Sequence, residues 1–285
     1  MLLSITSIML GGVLAFSEPS FNIFAVTFAA LTAFLLQLIS NFANDYGDFK
    51  KGLDNEDRIG PKRALQSGEI TEKQMLIGII ITVILAIVSG ALLIFVFARL
   101  TWRELAVFAG LGGFSVVAAL LYTLGKHPYG YYGLGDLFIF VFFGLVAVCG
   151  TYYLASKSFD YKTILPASAM GFLSVAGMNI NNMRDYVNDK AHGKNTMAVK
   201  LGLKGAFVYH AFMLVLPFVC LSVYLLLLQT PWYTHAFWLL FPLFLKDLIT
   251  VRKTMETALP LYLLPKQVLQ SFILILVFGV LLVIA

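Results

Sequence analysis

Nine runs of apolar residues, each closed by charges or by Pro and Gly, govern what this chain can fold into. They cover approximately 1–16, 22–43, 75–97, 104–124, 134–154, 163–180, 206–228, 234–250 and 267–284. About 20 such residues wound as a helix cross the hydrocarbon core of a bilayer. Backbone in lipid must satisfy its own hydrogen bonds, and no period-two alternation competes with helix. The expectation is an all-α integral membrane protein, nine transmembrane helices in one bundle, with residues 1–285 as a single domain. Only 12% of the residues are charged, against about 25% in a soluble domain, so little chain remains to build one. Met1–Phe16 is the shortest run and follows no basic flank, so it reads as a helix and not as a cleavable signal.

Lys and Arg set the orientation. Sixteen of the twenty fall in the connections after the second, fourth, sixth and eighth runs; Arg99, Arg103, Lys157 and Lys162 fall on the other side. By the positive-inside tendency the rich side is cytoplasmic, which places the chain in the cell (plasma or inner) membrane. This asymmetry accounts for the net charge of +5 without any nucleic-acid partner; the expected surroundings are membrane lipid. Cys149 and Cys220 lie in apolar runs without a CxxC spacing, and the four histidines show no ligand spacing, which excludes a zinc site.

Charge is concentrated where the helices leave the membrane. After the second run, "NFANDYGDFKKGLDNEDRIGPKRALQSG" gathers Asn44, Asp45, Asp48, Asp54, Glu56 and Asp57 with Arg58, Lys62 and Arg63. After the sixth, "NNMRDYVND" sets Asn181, Asp185 and Asp189 at steps of four, one stripe if the helix continues. Like charges at that spacing oppose a helix by a few tenths of a kcal/mol per pair, so a chain that accepts this twice is compensating with a cation. Carboxylate and amide oxygens without His or Cys suit Mg²⁺, which is held by one or two carboxylates and by substrate phosphate. Arg58, Lys62, Arg63, Lys126, Arg184 and Lys194 are placed to hold phosphate oxygens. Two acidic sets around Mg²⁺ at the mouth of an apolar cavity describe a clamp for a diphosphate with a greasy tail, a prenyl diphosphate.

Between the fourth and fifth runs, "YTLGKHPYGYYGLGD" puts Tyr122 and Lys126 four apart, able to point together into the cavity mouth. Tyr129, Tyr131 and Tyr132 read equally well as an interfacial aromatic belt.

Together these segments resemble the UbiA superfamily of membrane prenyltransferases, and within it the 1,4-dihydroxy-2-naphthoate polyprenyltransferases of menaquinone synthesis. The resemblance spans nearly the whole chain. It implies a UbiA-type bundle with cytoplasmic active-site loops and Mg²⁺-dependent transfer from a polyprenyl diphosphate to an aromatic naphthoate acceptor. Diphosphate and CO₂ would leave, giving a demethylmenaquinone. The family's two motifs map onto Asn44, Asp45 and Asp48, and onto Asn181, Asp185 and Asp189, as metal ligands. Asp48, Asp54, Lys126, Asp185 and Tyr122 are the catalytic candidates. The chain departs from the superfamily's NDxxDxxxD at Gly52, and Asp54 is the next acid, similar to the KGxD of the naphthoate branch. Transfer to another acceptor, such as 4-hydroxybenzoate or homogentisate, is the nearest alternative. An ion-coupled transporter and a non-catalytic scaffold are the rivals of other classes.

Overall fold

The computed structural model describes residues 1–53, 62–98 and 100–285. Asp54, Glu56, Asp57 and Arg58 lie outside the described residues. The described chain is helical, without strands: α1 Leu2–Ala15, α2 Ile23–Lys50, α3 Glu72–Phe97, α4 Trp102–Leu121, α5 Gly135–Ser156, α6 Tyr161–Arg184, the short α7 Tyr186–Ala191, α8 Met197–Leu227, α9 Trp232–Thr254 and α10 Leu263–Val283. Each expected run became a helix. Eight of the described helices are long and apolar enough to cross a membrane. The ninth expected span, α1, is apolar but shorter: its 14 residues reach about 21 Å against a core of about 30 Å, so the count of nine is not confirmed at that helix.

Local chemistry sets the helix starts. Asn22 accepts from the amides of Phe24 and Ala25 to begin α2, and Thr71 with Gln74 and Thr101 with Glu104 form capping boxes on α3 and α4. Each cap satisfies amides that have no carbonyl partner in the first turn.

The architecture is uneven around the bundle. α6 is buried on nearly every side between α5, α8, α1 and α10, and its Met170, Leu173 and Ala176 join Phe218, Phe237, Phe244 and Phe278 in the main core. α4 instead buries only Ala118. Between the solid α6–α8 side and the sparse α3–α4 side the interior stays open, and that opening is the cavity described next.

Candidate active site

α2 does not stop near residue 43. It runs to Lys50, so Asn44, Asp45 and Asp48 are all helical, and Asn44 and Asp48 share the face that looks into the bundle. Asp48 is buried and held by three partners. The Tyr131 hydroxyl donates to its Oδ1 at 2.8 Å, Arg63 Nη1 donates to Oδ2 at 3.1 Å, and Lys194 Nζ stands 3.7 Å from Oδ2. Arg63 also holds Asp45, with Nε 3.1 Å from Oδ1, while Asn44 Oδ1 accepts from the Thr123 hydroxyl at 2.8 Å.

The second set straddles a break. α6 ends at Arg184, Asp185 sits at the junction with φ −90° and ψ 8°, and α7 begins at Tyr186. The four-residue step survives because the Asp185 amide bonds to Asn181 O at 3.0 Å and the Asp189 amide to Asp185 O at 2.8 Å. Asn181, Asp185 and Asp189 therefore line the same cavity mouth as Asn44 and Asp48. Arg184 grips Asp185 with a two-pronged contact, Nε to Oδ1 and Nη2 to Oδ2, both 2.8 Å, and Nη2 reaches Asn181 Oδ1 at 2.6 Å. Beyond α7, Gly193 adopts φ 71°, a left-handed turn that glycine takes without steric cost. That reversal brings Lys194 back over α7, where Nζ lies 3.7 Å from Asp189 Oδ1. The loop is stapled in place by Lys194 N to Asp189 O at 2.8 Å and Asn195 N to Tyr131 O at 2.9 Å.

Asp189 is not electrostatically relaxed. Burial pushes the Asp189 carboxyl up to about 6; Lys194 opposes the rise, and Asp185 and Asp48 reinforce it. Burial disfavours the charged form of this carboxyl, and the two neighbouring carboxylates disfavour it further.

The cavity holds about 970 Å³, at the top of the range for ligand sites and enough for more than one small ring. The charged groups gather at one end, and the walls are mainly apolar, with Leu36, Ile94, Phe138, Phe142, Val146 and Leu154 among them. From Asp48 to Ala29 the lining follows α2 for about 28 Å at 1.5 Å per residue, close to the full hydrocarbon depth.

The remaining expected site residues are placed as follows. Tyr122 lines the cavity, its hydroxyl directed at Met178 Sδ at 3.7 Å, and burial raises its ionisation well above the ordinary range. Arg63 and Lys194 line the mouth; Arg184 stands just behind it. Lys62 and Lys126 are exposed and do not line the cavity: α4 ends at Leu121, so the four-residue spacing from Tyr122 is not carried on a helix. Asp54 and Arg58 fall outside the described residues.

The sequence does not single out Lys51, Thr123 or Asn188, and it does not decide between a site role and an aromatic belt for Tyr131. Lys51 Nζ donates to Thr123 O at 3.1 Å and lies 4.0 Å from the Tyr131 ring centroid; Lys194 lies 5.4 Å from the same ring. Asn188 Nδ2 donates to Leu53 O at 3.0 Å, tying α7 to the segment after α2. The one available signal was the position of Thr123 and Tyr131 inside a turn that must return beneath the acid motifs.

Among the described residues no group of three or more His, Cys, Asp or Glu side chains is already arranged around a metal position; the carboxylates hold Arg63, Arg184 and Lys194 instead. The donor chemistry nevertheless fits a hard divalent cation. Asn44, Asp48, Asn181, Asp185 and Asp189 bring carboxylate and amide oxygens to two sides of one opening.

With this geometry in view, comparison with known proteins is decisive. Residues 4–260 match the UbiA prenyltransferase family. The chain belongs to the UbiA prenyltransferase family. As a UbiA member it is a membrane prenyltransferase, which sets aside the transporter and scaffold readings. It is 44% identical over 251 residues to the 1,4-dihydroxy-2-naphthoate octaprenyltransferase of Haemophilus influenzae, covering 87% of this chain and 81% of that one. It is 42% identical over 254 residues to the protein of the same description from Escherichia coli, covering 89% and 82%. Among solved structures, the UbiA homolog from Aeropyrum pernix matches with a TM-score of 0.66 at 15% identity, over 99% of this chain and 96% of that one. A UbiA homolog from Archaeoglobus fulgidus, bound to DMAPP and Mg²⁺, matches with a TM-score of 0.61 at 14% identity, over 99% and 97%. At such low identity these two carry the fold.

Proposed function

We propose that this UbiA protein transfers a polyprenyl group from polyprenyl diphosphate to 1,4-dihydroxy-2-naphthoate in a Mg²⁺-dependent reaction, releasing diphosphate and CO₂ and building the demethylmenaquinone skeleton. The observation that carries the reading is the convergence of Asn44 and Asp48 with Asn181, Asp185 and Asp189 at the polar end of a long apolar cavity. The naphthoate acceptor is supported by the relatives of that description at 42 and 44% identity. The end of α2 with Lys50 and Lys51, and Lys62 and Arg63 beyond it, face the cytoplasm of a cell-membrane protein, following the Lys and Arg asymmetry.

Each part of the site then has work suited to its chemistry. Asn44, Asp48, Asn181, Asp185 and Asp189 would hold the metal. Mg²⁺, when bound, supplies positive charge for the departing diphosphate and draws on no proton transfer. Arg63 and Lys194 stand at the mouth to receive phosphate oxygens. The prenyl tail lies along α2, and the C–O bond to diphosphate breaks at the polar end. The walls keep water from the allylic cation that results. The electron-rich ring carbon of the acceptor forms the new bond, and the acceptor carboxylate leaves as CO₂.

The experiment is direct: membranes containing the protein are given a prenyl diphosphate and, separately, 1,4-dihydroxy-2-naphthoate, 4-hydroxybenzoate or homogentisate. Transfer to naphthoate is expected, and transfer confined to hydroxybenzoate would overturn the acceptor assignment.

A further inference from the structure

The carboxylates that would receive the metal already have internal cations, and those cations are not held equally. Arg184 is bound to Asp185 by two 2.8 Å contacts and to Asn181 by one of 2.6 Å. Arg63 sits 3.1 Å from both Asp45 and Asp48. Lys194 is the loosest: its ammonium stands 3.7 Å from Asp48 Oδ2 and 3.7 Å from Asp189 Oδ1, beyond hydrogen-bond length to either. Among the described residues it is also the one cation paired with both acid sets. Its side chain is only 12% exposed, and the two carboxylates about 5% and 4%. A charge so shielded from water interacts strongly with its neighbours.

We propose that Lys194 is a tethered counter-ion that holds the two acid sets together before loading, competes with the divalent cation for Asp48 and Asp189, and turns to the diphosphate when that cation enters. The inference deepens the reading of this site as a metal–diphosphate clamp and rests on it. Three features of this chain support it. The backbone staple of residues 194 and 195 onto Asp189 and Tyr131 fixes the root of the side chain, so only the flexible stem moves. The ammonium carries three rotatable donors on four carbons, unlike the fixed fork of Arg184, and so exchanges partners at low cost. Lys194 also borders the cavity itself, so the displaced ammonium remains within reach of an anion bound there.

Competition and hand-over have opposite signs, and this separates the proposal from a simple phosphate contact. Without diphosphate, Lys194 weakens divalent binding. With diphosphate, it strengthens the joint complex, because the freed charge is taken up by the incoming anion; the coupling is reciprocal between the two ligands.

The test measures Mn²⁺ binding by electron paramagnetic resonance on the detergent-solubilised full chain, with and without farnesyl diphosphate, for wild type, Lys194→Gln and Lys194→Arg. Without farnesyl diphosphate, Lys194→Gln is expected to bind Mn²⁺ roughly tenfold tighter than wild type, and Lys194→Arg is not. With it, wild type is expected to gain affinity for Mn²⁺ while Lys194→Gln gains little. A Lys194→Gln protein that binds Mn²⁺ no more tightly than wild type overturns the proposal, even if farnesyl diphosphate still binds. If wild type itself binds no Mn²⁺ even with farnesyl diphosphate, the clamp reading fails, and the role of Lys194 fails with it. Should Lys194→Gln not fold, Lys194→Met is read in the same way: competition predicts that it binds Mn²⁺ roughly tenfold tighter than wild type without farnesyl diphosphate, and an affinity no tighter than wild type overturns the proposal.

Discussion

Asp48 on α2 and Asp189 on α7 each lie 3.7 Å from one ammonium, that of Lys194, so two distant segments meet at a single charge. Neither carboxylate could be buried there alone, because an unpaired buried charge costs several kcal/mol. Their meeting point therefore defines the site, and the consequences of disturbing it are specific.

Asp48→Ala and Asp185→Ala should each lower prenyl transfer by about two to three orders of magnitude, the scale on which electrostatic stabilisation of a leaving group is lost. Both proteins should still insert, since the core of α6, α8 and α9 is untouched. Turnover assays beside size-exclusion profiles in detergent check this.

Tyr131→Phe removes the hydroxyl that donates to Asp48 but keeps the ring against Lys51 and Lys194. A hydrogen bond to a charged group contributes about 1.5–3 kcal/mol, so activity should fall by roughly ten- to a hundredfold. Tyr131→Leu should lose more, because it also removes the ring. Comparing kcat/KM for the two variants separates hydroxyl from ring.

Asp189 gives a pH signature. Its folded-state value of about 6 lies above the ordinary 3.8, so the folded protein binds this proton more tightly than the unfolded chain. The associated stability is complete below pH 4 and is lost as pH rises through 6 in metal-free protein. Ligation needs the ionised form, so divalent affinity should rise over the same interval. Melting temperature against pH for wild type and Asp189→Asn, with and without Mn²⁺, reads both effects; Asp189→Asn should flatten them.

Gly47 lies where α2 meets the loop after α4. A Cβ there would stand 2.5 Å from Thr123 Cγ2 and 3.0 Å from Thr123 O. Gly47→Val should push away the loop that holds Asn44 and, through Tyr131, Asp48, destabilising by about 1–3 kcal/mol as overpacking does. Thermal unfolding measures the loss, and a fall in activity at temperatures where the protein stays folded would show that the displacement reaches the site.

Much of this was legible in the sequence. The apolar runs gave the helices because length and lipid leave few alternatives, and the two acid motifs stood out because charge is scarce elsewhere. The extent of α2 was not legible: "NDYGDFK" is polar enough to read as loop, yet its helix is held by Arg63, Thr123 and Tyr131 from other segments. The i,i+4 reading of Asn181, Asp185 and Asp189 anticipated their shared face but not the break at Asp185. The spacing of Tyr122 and Lys126 promised a shared face that the end of α4 does not provide. Lys194 was named as a phosphate cation, but its bridging position depends on the reversal at Gly193 and on contact with Tyr131, which a single sequence does not display.

The most direct test of the central claim measures pyrophosphate release and lipid-soluble product together, in purified protein with a prenyl diphosphate and 1,4-dihydroxy-2-naphthoate, as Mg²⁺ is added or chelated. The expected result is stoichiometric pyrophosphate and prenylated naphthol with Mg²⁺, and neither without it or in Asp48→Ala. Undiminished prenyl transfer in chelator, or in Asp48→Ala, would contradict the claim that the two acid sets form a metal-bound diphosphate clamp.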